Sequence, residues 1–89
     1  MKSHVTWDFQ KCLFRLPYDV QRYAKVSFSL WQEHPHHPSL RFKRVHTSEP
    51  IYSTRVGRHY RTLGVKKGEH MIWFWIGSHD DYLKIVSRY

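Results

Sequence analysis

Residues 50–82 constrain the fold most, because they contain three strand-like runs joined by two short turns. The runs are rich in β-branched and aromatic residues, and glycines punctuate the turns. The third run is apolar on both faces, which predicts a central, covered strand. The runs are Ile51 to Val56, Tyr60 to Val65 and Met71 to Ile76, and the turns are Gly57-Arg58-His59 and Lys66-Lys67-Gly68.

The first third of the chain predicts two helices. Phe9, Cys12, Leu13 and Leu16 follow the spacing i, i+3, i+4, i+7, which is one face of a helix. Pro17 ends this helix and opens a second one. The second helix has its own apolar stripe, formed by Val20, Tyr23, Ala24, Ser27, Leu30 and Trp31, and it stops at Pro35 and Pro38. The pair therefore predicts a helical hairpin with one apolar side.

Shorter elements complete the predicted order β-α-α-β-β-β-β-α. Lys2 to Thr6 predicts a first strand. Residues 40–43 alternate apolar and cationic side chains, so that Arg41 and Lys43 would share a face. Ser78 predicts the N-cap of a last helix. The buried stripe of that helix would be Tyr82, Ile85, Val86 and Tyr89. We expect one α+β domain over residues 1–89, with a small antiparallel sheet, the hairpin on one face and a short C-terminal helix.

The net charge of +8, from 15 Lys and Arg against 7 Asp and Glu, favours an anionic partner, although it also serves solubility alone. The single cysteine, Cys12, excludes an internal disulfide and is interpreted as a small buried thiol. The N-terminus lacks the apolar region of a signal peptide, and the apolar run 71–76 is too short to cross a bilayer. We therefore expect a soluble cytoplasmic protein with no membrane partner.

The candidate site combines Arg55, Arg61, His79 and Tyr82. Guanidinium groups bind phosphate oxygens in a bidentate manner, and histidine, with a reference pKa of about 6.5, suits proton transfer. Such groups can hold a phosphate and move a proton without a metal ion, which points toward RNA. Solvated strand cations or a helix-capping histidine are the structural alternatives. Tyr82 can stack on a base or hold a water, and it also fits the core stripe of the last helix.

Further candidate functional residues are the cations outside this group and the loop histidines. Arg41, Lys43 and Arg58 are candidates for binding flanking RNA or the ribosome, although Arg41 and Lys43 can equally protect a sheet edge from aggregation. The histidines at positions 34, 36 and 37 cluster in a proline-rich loop, but no cysteine or carboxylate has a structural-zinc spacing to them. We expect no metal and no cofactor.

Several motifs resemble the RelE/ParE superfamily of bacterial toxins from type II toxin–antitoxin systems, and its HigB-like, phage-associated branch in particular. They are His37-Pro38-Ser39-Leu40, Pro50-Ile51-Tyr52-Ser53, Arg55-Val56-Gly57, Tyr60-Arg61 and Trp73-Phe74-Trp75-Ile76-Gly77-Ser78-His79. The resemblance covers nearly the whole chain. It implies a RelE-like microbarrel, with a helical hairpin on one face of the sheet and the active site on the other.

The resemblance also implies roles for single residues. Arg61 matches the arginine that contacts the scissile phosphate, and Arg55 falls where ribonuclease members keep a basic residue. His79 falls where members carry arginine or histidine, and Tyr82 lies near a tyrosine that stacks on the substrate or polarises it. Ser53 stands where some members keep a lysine, so the general base is not identified.

The resulting hypothesis is a growth-inhibiting toxin that acts as a ribosome-dependent, metal-independent mRNA endonuclease, or mRNA interferase. Its partners would be mRNA on the ribosome and an acidic antitoxin that covers the cationic face, with operator DNA bound only through the toxin–antitoxin complex. Two alternatives stay open: a ParE-like poison of DNA gyrase, and a basic component of a repressor complex that does no chemistry.

Overall fold

The computed structural model describes residues 1–88, which form five strands, three α-helices and one short 3₁₀ helix in the predicted order. The helices are α1 (Trp7–Phe14), α2 (Tyr18–Glu33), the 3₁₀ helix Pro38–Leu40 and α3 (His79–Val86). The strands are β1 (Lys2–Val5), β2 (Lys43–Arg44), β3 (Ile51–Val56), β4 (Tyr60–Lys67) and β5 (His70–Ser78). In residues 1–88, no helix has the length and apolar character needed to span a membrane.

The five strands form one sheet in the order β1-β5-β4-β3-β2. Neighbouring strands are antiparallel except at one edge, where β1 pairs with β5 in parallel. This makes the sheet mixed, whereas the sequence pattern predicted an antiparallel one. The predicted apolar run lies in β5, which has a neighbour on each side, so its central position is confirmed.

The hairpin of α1 and α2 covers one face of the sheet and forms the main core with it. The hairpin contributes Phe9 and Trp31, and the sheet contributes Val56, Trp73 and Ile76. The Trp31 and Trp73 rings meet edge to face, with centroids 5.3 Å apart. Since side chains alternate across a strand, Val56 faces this core while its neighbour Arg55 faces away from it.

The other face carries α3, which is held by polar contacts as well as apolar ones. Ser78 caps the helix as predicted, because its Oγ accepts a hydrogen bond from the Asp81 amide at 3.1 Å. Tyr82 is buried, and its hydroxyl lies 3.2 Å from the Oγ of Ser53 in β3. The predicted stripe is confirmed at Tyr82, whereas Tyr89 lies outside the described residues.

One prediction of local structure was wrong. The alternating residues 40–43 do not form a strand: Leu40 ends the 3₁₀ helix, and β2 contains only Lys43 and Arg44. Arg41, the residue that follows the 3₁₀ helix, adopts the left-handed conformation, with φ 46° and ψ 43°. Tertiary packing overrides the alternation, because Leu40 is fully buried in the hairpin core.

Replacing Gly64 with alanine should destabilise the fold, because a Cβ at this buried position would lie 2.5 Å from Cε3 of Trp73. We expect a loss of roughly 1–3 kcal/mol in the free energy of unfolding, measured by urea denaturation. Gly68→Ala is the control: its Cβ meets nothing within 4 Å, so only its positive φ of 59° carries a cost, about 1 kcal/mol. A Gly64→Ala variant no less stable than Gly68→Ala would contradict this packing.

Candidate functional site

A cationic cavity of about 550 Å³ lies at the end of the sheet where α3 begins. Its lining combines four arginines and two histidines with one hydroxyl and one carboxyl group. The lining residues are Arg41, Arg55, Arg58, His59, Arg61, Ser78, His79 and Asp80. They come from the 3₁₀ helix end, strands β3 and β4, the turn between those strands, the end of β5 and the first turn of α3.

Strand register places the two central arginines side by side. Arg55 on β3 and Arg61 on β4 are directly opposite each other in the antiparallel ladder. The Nε of Arg55 donates a hydrogen bond to the Gly57 carbonyl at 2.9 Å, which leaves its terminal nitrogens available. Like charges opposite one another destabilise a sheet, and an anion bound between the two guanidinium groups would offset that cost.

The electrostatics around Arg61 agree with that interpretation. Burial lowers the pKa of Arg61 below the usual arginine value, and the charges of Arg55 and Arg41 lower it further, while Tyr82 acts in the opposite direction. In residues 1–88 the single ion pair joins Asp81 to Lys84, so no arginine of the cavity is neutralised by a protein carboxylate at ion-pair distance. A bound phosphate would relieve this repulsion.

Arg41 reaches the cavity through unusual backbone. It is the one non-glycine residue among positions 1–88 with positive φ. A left-handed conformation costs an L-residue roughly 1–2 kcal/mol. Such strain is often found at functional sites, where surrounding structure holds the residue in place.

Two imidazoles share the cavity and are tied through the backbone. The amide of His79 donates to the carbonyl of His59 at 2.7 Å, which joins the β3–β4 turn to the start of α3. Both side chains line the cavity. A cavity with two imidazoles beside guanidinium groups can bind a phosphodiester and supply both an acid and a base.

Tyr82 and Lys43 are placed differently from the other predicted site residues. The ring of Tyr82 lies beneath the cavity, 5.9 Å from the Arg61 guanidinium and 6.0 Å from the His79 ring, measured between centres. It is buried and does not line the cavity, which supports its core role. Lys43 is exposed on β2 and also lies outside the lining. Position 53, where the resemblance implied a lysine, holds a serine that is buried under α3.

His59, Ser78 and Asp80 line the cavity although the sequence patterns did not predict them as functional residues, and His59 is the one of these that suits proton transfer. It was assigned only to a turn, whereas the register pairs the following residue, Tyr60, with Ser78 and so brings the turn beside α3. A histidine next to Arg58 at the tip of a predicted hairpin was the available signal. Arg41, Arg55, Arg58, Arg61 and His79 were all predicted for the site and do line one cavity.

The comparisons with known proteins agree on a family and a fold. The model of the ParE-like toxin domain family matches residues 19–84. RelE in the RelB–RelE complex from Methanococcus jannaschii superposes with a TM-score of 0.73 at 18% identity, covering 92% of this chain and 96% of that one. No curated protein matches this chain by sequence.

Two further solved structures share this fold. YafQ from E. coli strain BL21(DE3) has a TM-score of 0.73 at 9% identity, over 91% of this chain and 96% of YafQ. A chain of the RelBE2 toxin–antitoxin complex from Mycobacterium tuberculosis has a TM-score of 0.66 at 19% identity, over 88% of this chain and 96% of that one. At these identities the similarity concerns the fold, which is that of RelE-like toxins.

Neutralising Arg61 should leave the fold as stable as before or stabilise it, because the charged form of this half-buried residue is disfavoured. We expect Arg61→Gln to have an unchanged or higher Tm by differential scanning calorimetry and to lose the stabilisation that added phosphate gives the wild type. Arg22→Gln, on an exposed position of α2, should retain that stabilisation. A marked fall in the Tm of Arg61→Gln would show that Arg61 supports the fold instead.

Two substitutions at position 41 distinguish the effect of backbone strain from the effect of charge. Glycine adopts the observed φ of 46° without steric cost, so Arg41→Gly should be about 1 kcal/mol more stable to urea than Arg41→Ala. Both variants lack the guanidinium and should bind phosphate equally weakly by titration calorimetry. Equal stability of the two variants would contradict the left-handed backbone, and undiminished phosphate binding would remove Arg41 from the site.

Proposed function

This chain belongs to the ParE-like toxin family, and on that premise we propose that it is the toxin of a type II toxin–antitoxin pair and cleaves mRNA on the ribosome. The observation that carries the proposal is the cavity in which Arg55 and Arg61 adjoin His59 and His79. A gyrase-binding surface requires no proton-transfer residues, whereas strand scission requires them.

The proposed reaction uses the nucleophile that RNA carries itself. The 2′-hydroxyl loses its proton to a base and attacks the adjacent phosphorus, and the bond from phosphorus to the 5′-oxygen breaks. The products are a 2′,3′-cyclic phosphate and a 5′-hydroxyl, whose proton comes from an acid. Negative charge grows on the phosphoryl oxygens during attack, and preorganised cations stabilise it most effectively where water is excluded.

Six residues of the cavity then have a defined task. Arg55 and Arg61 hold the scissile phosphate, since their opposed positions allow two bidentate contacts with the same anion. His59 and His79 divide the two proton transfers. One of them thus acts as the general base, in place of the lysine that some family members keep at position 53. Arg41 and Arg58 bind the neighbouring phosphates from the rim. Tyr82 supports the Arg61 guanidinium from below.

An acidic antitoxin is the proposed protein partner, because RelE from Methanococcus jannaschii is in a complex with the antitoxin RelB, and RelBE2 from Mycobacterium tuberculosis is also a toxin–antitoxin complex. Besides the cationic cavity, the hairpin side presents an apolar groove of about 720 Å³ with Arg22 and Lys25 among its lining residues. Phe14 and Tyr18 in this groove are 65% and 85% exposed. Exposed apolar surface beside cations fits an amphipathic, acidic segment of the antitoxin.

The mechanism is tested by expressing the chain and mapping transcript ends. We expect cuts within translated codons, and loss of roughly 10²- to 10⁴-fold in cleavage rate for His59→Ala and for His79→Ala, because each removes one proton-transfer group. Arg61→Gln should abolish cutting, and Lys84→Gln on the outside of α3 should not affect it. Intact mRNA on translating ribosomes during growth arrest would overturn the nuclease proposal.

The antitoxin surface is tested by reversing the groove charges. Arg22→Glu together with Lys25→Glu should keep toxicity, because neither residue lines the cationic cavity, and should lose rescue by the acidic antitoxin. Growth on co-expression and pull-down of the pair are the measurements. Rescue that persists at wild-type antitoxin levels would place the antitoxin contact elsewhere.

Gyrase poisoning is the second candidate, because the matching family model is that of the ParE-like toxin domain and Ser53 stands where some ribonuclease members keep a lysine. It predicts DNA breaks without mRNA cuts, and growth inhibition that survives both His79→Ala and Arg61→Gln. These outcomes are opposite to those of the nuclease, so the same set of variants separates the two functions.

A further inference from the structure

A pair of exposed histidines lies at the parallel edge of the sheet, far from the cationic cavity. The Nε2 of His4 on β1 and the Nδ1 of His70 on β5 are 2.9 Å apart. The two rings are stacked, with centroids 5.1 Å apart and planes 27° from parallel. His70 and Ser78 are the first and last residues of β5, about 26 Å apart along the strand, so this pair does not belong to the proposed active site.

The backbone around the pair is fixed on both strands. The Lys2 amide donates to the Glu69 carbonyl at 2.8 Å, and the Thr6 amide donates to the Trp73 carbonyl at 3.0 Å. The indole of Trp73 donates to Ser3 Oγ at 3.0 Å. With Lys2 in register with His70, side chains two residues apart on β1 share a face, which brings His4 onto the face of His70.

We infer that His4 and His70 form a chelating site for a late divalent transition metal ion such as Cu²⁺ or Ni²⁺. Imidazole nitrogens bind these ions at about 2.0 Å, so two of them at right angles around one ion lie about 2.8 Å apart. The observed separation of 2.9 Å is close to that value. The lone pairs now lie along the hydrogen bond, so both rings must rotate before they point toward one ion, and exposed rings are free to do so.

Metal binding replaces the hydrogen bond within the pair. In the neutral pair one of the facing nitrogens carries a proton and donates the hydrogen bond, and the other nitrogen accepts that bond. On chelation that proton moves to the opposite nitrogen of the same ring, so two neutral histidines bind the ion without releasing a proton. Protonated rings must release theirs first, and binding therefore weakens in acid.

The surrounding charges make the site weak rather than tight. His70 has a lysine in register on each side, Lys2 on β1 and Lys67 on β4, and these cations repel a divalent ion. Among residues 1–88 no group of three or more His, Cys, Asp or Glu side chains is suited to hold a metal, so water completes the coordination. The ion would join β1 to β5 and thereby raise the Tm, since it binds the folded chain, where the two imidazoles are held together, more tightly than the unfolded chain.

The inference is tested on tag-free protein with Cu²⁺ and Ni²⁺ as the probes. Titration calorimetry should give one ion per chain, and Ni²⁺ should raise the Tm in a saturable manner. Substoichiometric Cu²⁺ should broaden the backbone amide signals of residues 2–5 and 69–72 before any others in a ¹H–¹⁵N spectrum. His4→Gln and His70→Asn, which keep a polar group near the facing atoms, should each weaken binding by at least about tenfold.

His34→Asn is the matched control, because it removes an exposed histidine from the proline-rich loop and should leave binding unchanged. Broadening that begins at residues 34–37 would overturn the inference. Binding that survives His70→Asn would also overturn it, since His4 would then act with other groups. The broadening pattern of the wild type decides the matter independently of how the variants fold, and neither outcome bears on mRNA cleavage.

Discussion

The cationic cavity depends on the placement of Arg55 directly opposite Arg61 in the sheet. Two cations in one cross-strand pair weaken a sheet, and burial of Arg61 adds to the cost. The fold tolerates the pair because β3 and β4 bury Val56, Leu63 and Ser53 almost completely. The same register that buries these residues on β3 and β4 therefore also places two arginines side by side with no carboxylate at ion-pair distance.

The second constraint is the junction between β5 and α3. Ser78 ends the strand and caps the helix, and the amide of His79 is held by the carbonyl of His59. This junction brings a helix start, where anions are favoured, against the arginine pair. Tyr82, one turn further on, buries its ring under the site and bonds to Ser53, which anchors α3 to the sheet. Cavity and core are thus built from successive residues of the same segment.

Much of this arrangement was predictable from local patterns. The stripe of Phe9, Cys12 and Leu13 predicted α1, Pro17 marked the break before α2, and the apolar run of β5 predicted a central strand; all three predictions are confirmed. The fold and the superfamily predicted from the motifs are confirmed as well. Arg55 and Arg61 lie on consecutive strands, and they could be assigned to one site because a tight hairpin fixes the register of those strands.

The remaining features depend on tertiary contacts that no local pattern encodes. The alternation at Leu40 to Lys43 favoured a strand, but burial of Leu40 imposes a 3₁₀ helix and left-handed backbone at Arg41. β1 and β5 pair in parallel although most of the chain lies between them in sequence. This pairing alone brings His4 to His70. His59 gained its neighbours from the start of α3, which lies twenty residues later in the sequence.

The most direct test of the central claim is to follow the arginine side chains while a short RNA binds. In a ¹H–¹⁵N spectrum of the Nε–H groups, RNA should shift the signals of Arg55 and Arg61 first and leave the signal of Arg22 on the hairpin unchanged. Shifts confined to Arg22 and its neighbours, with Arg55 and Arg61 unmoved, would contradict it.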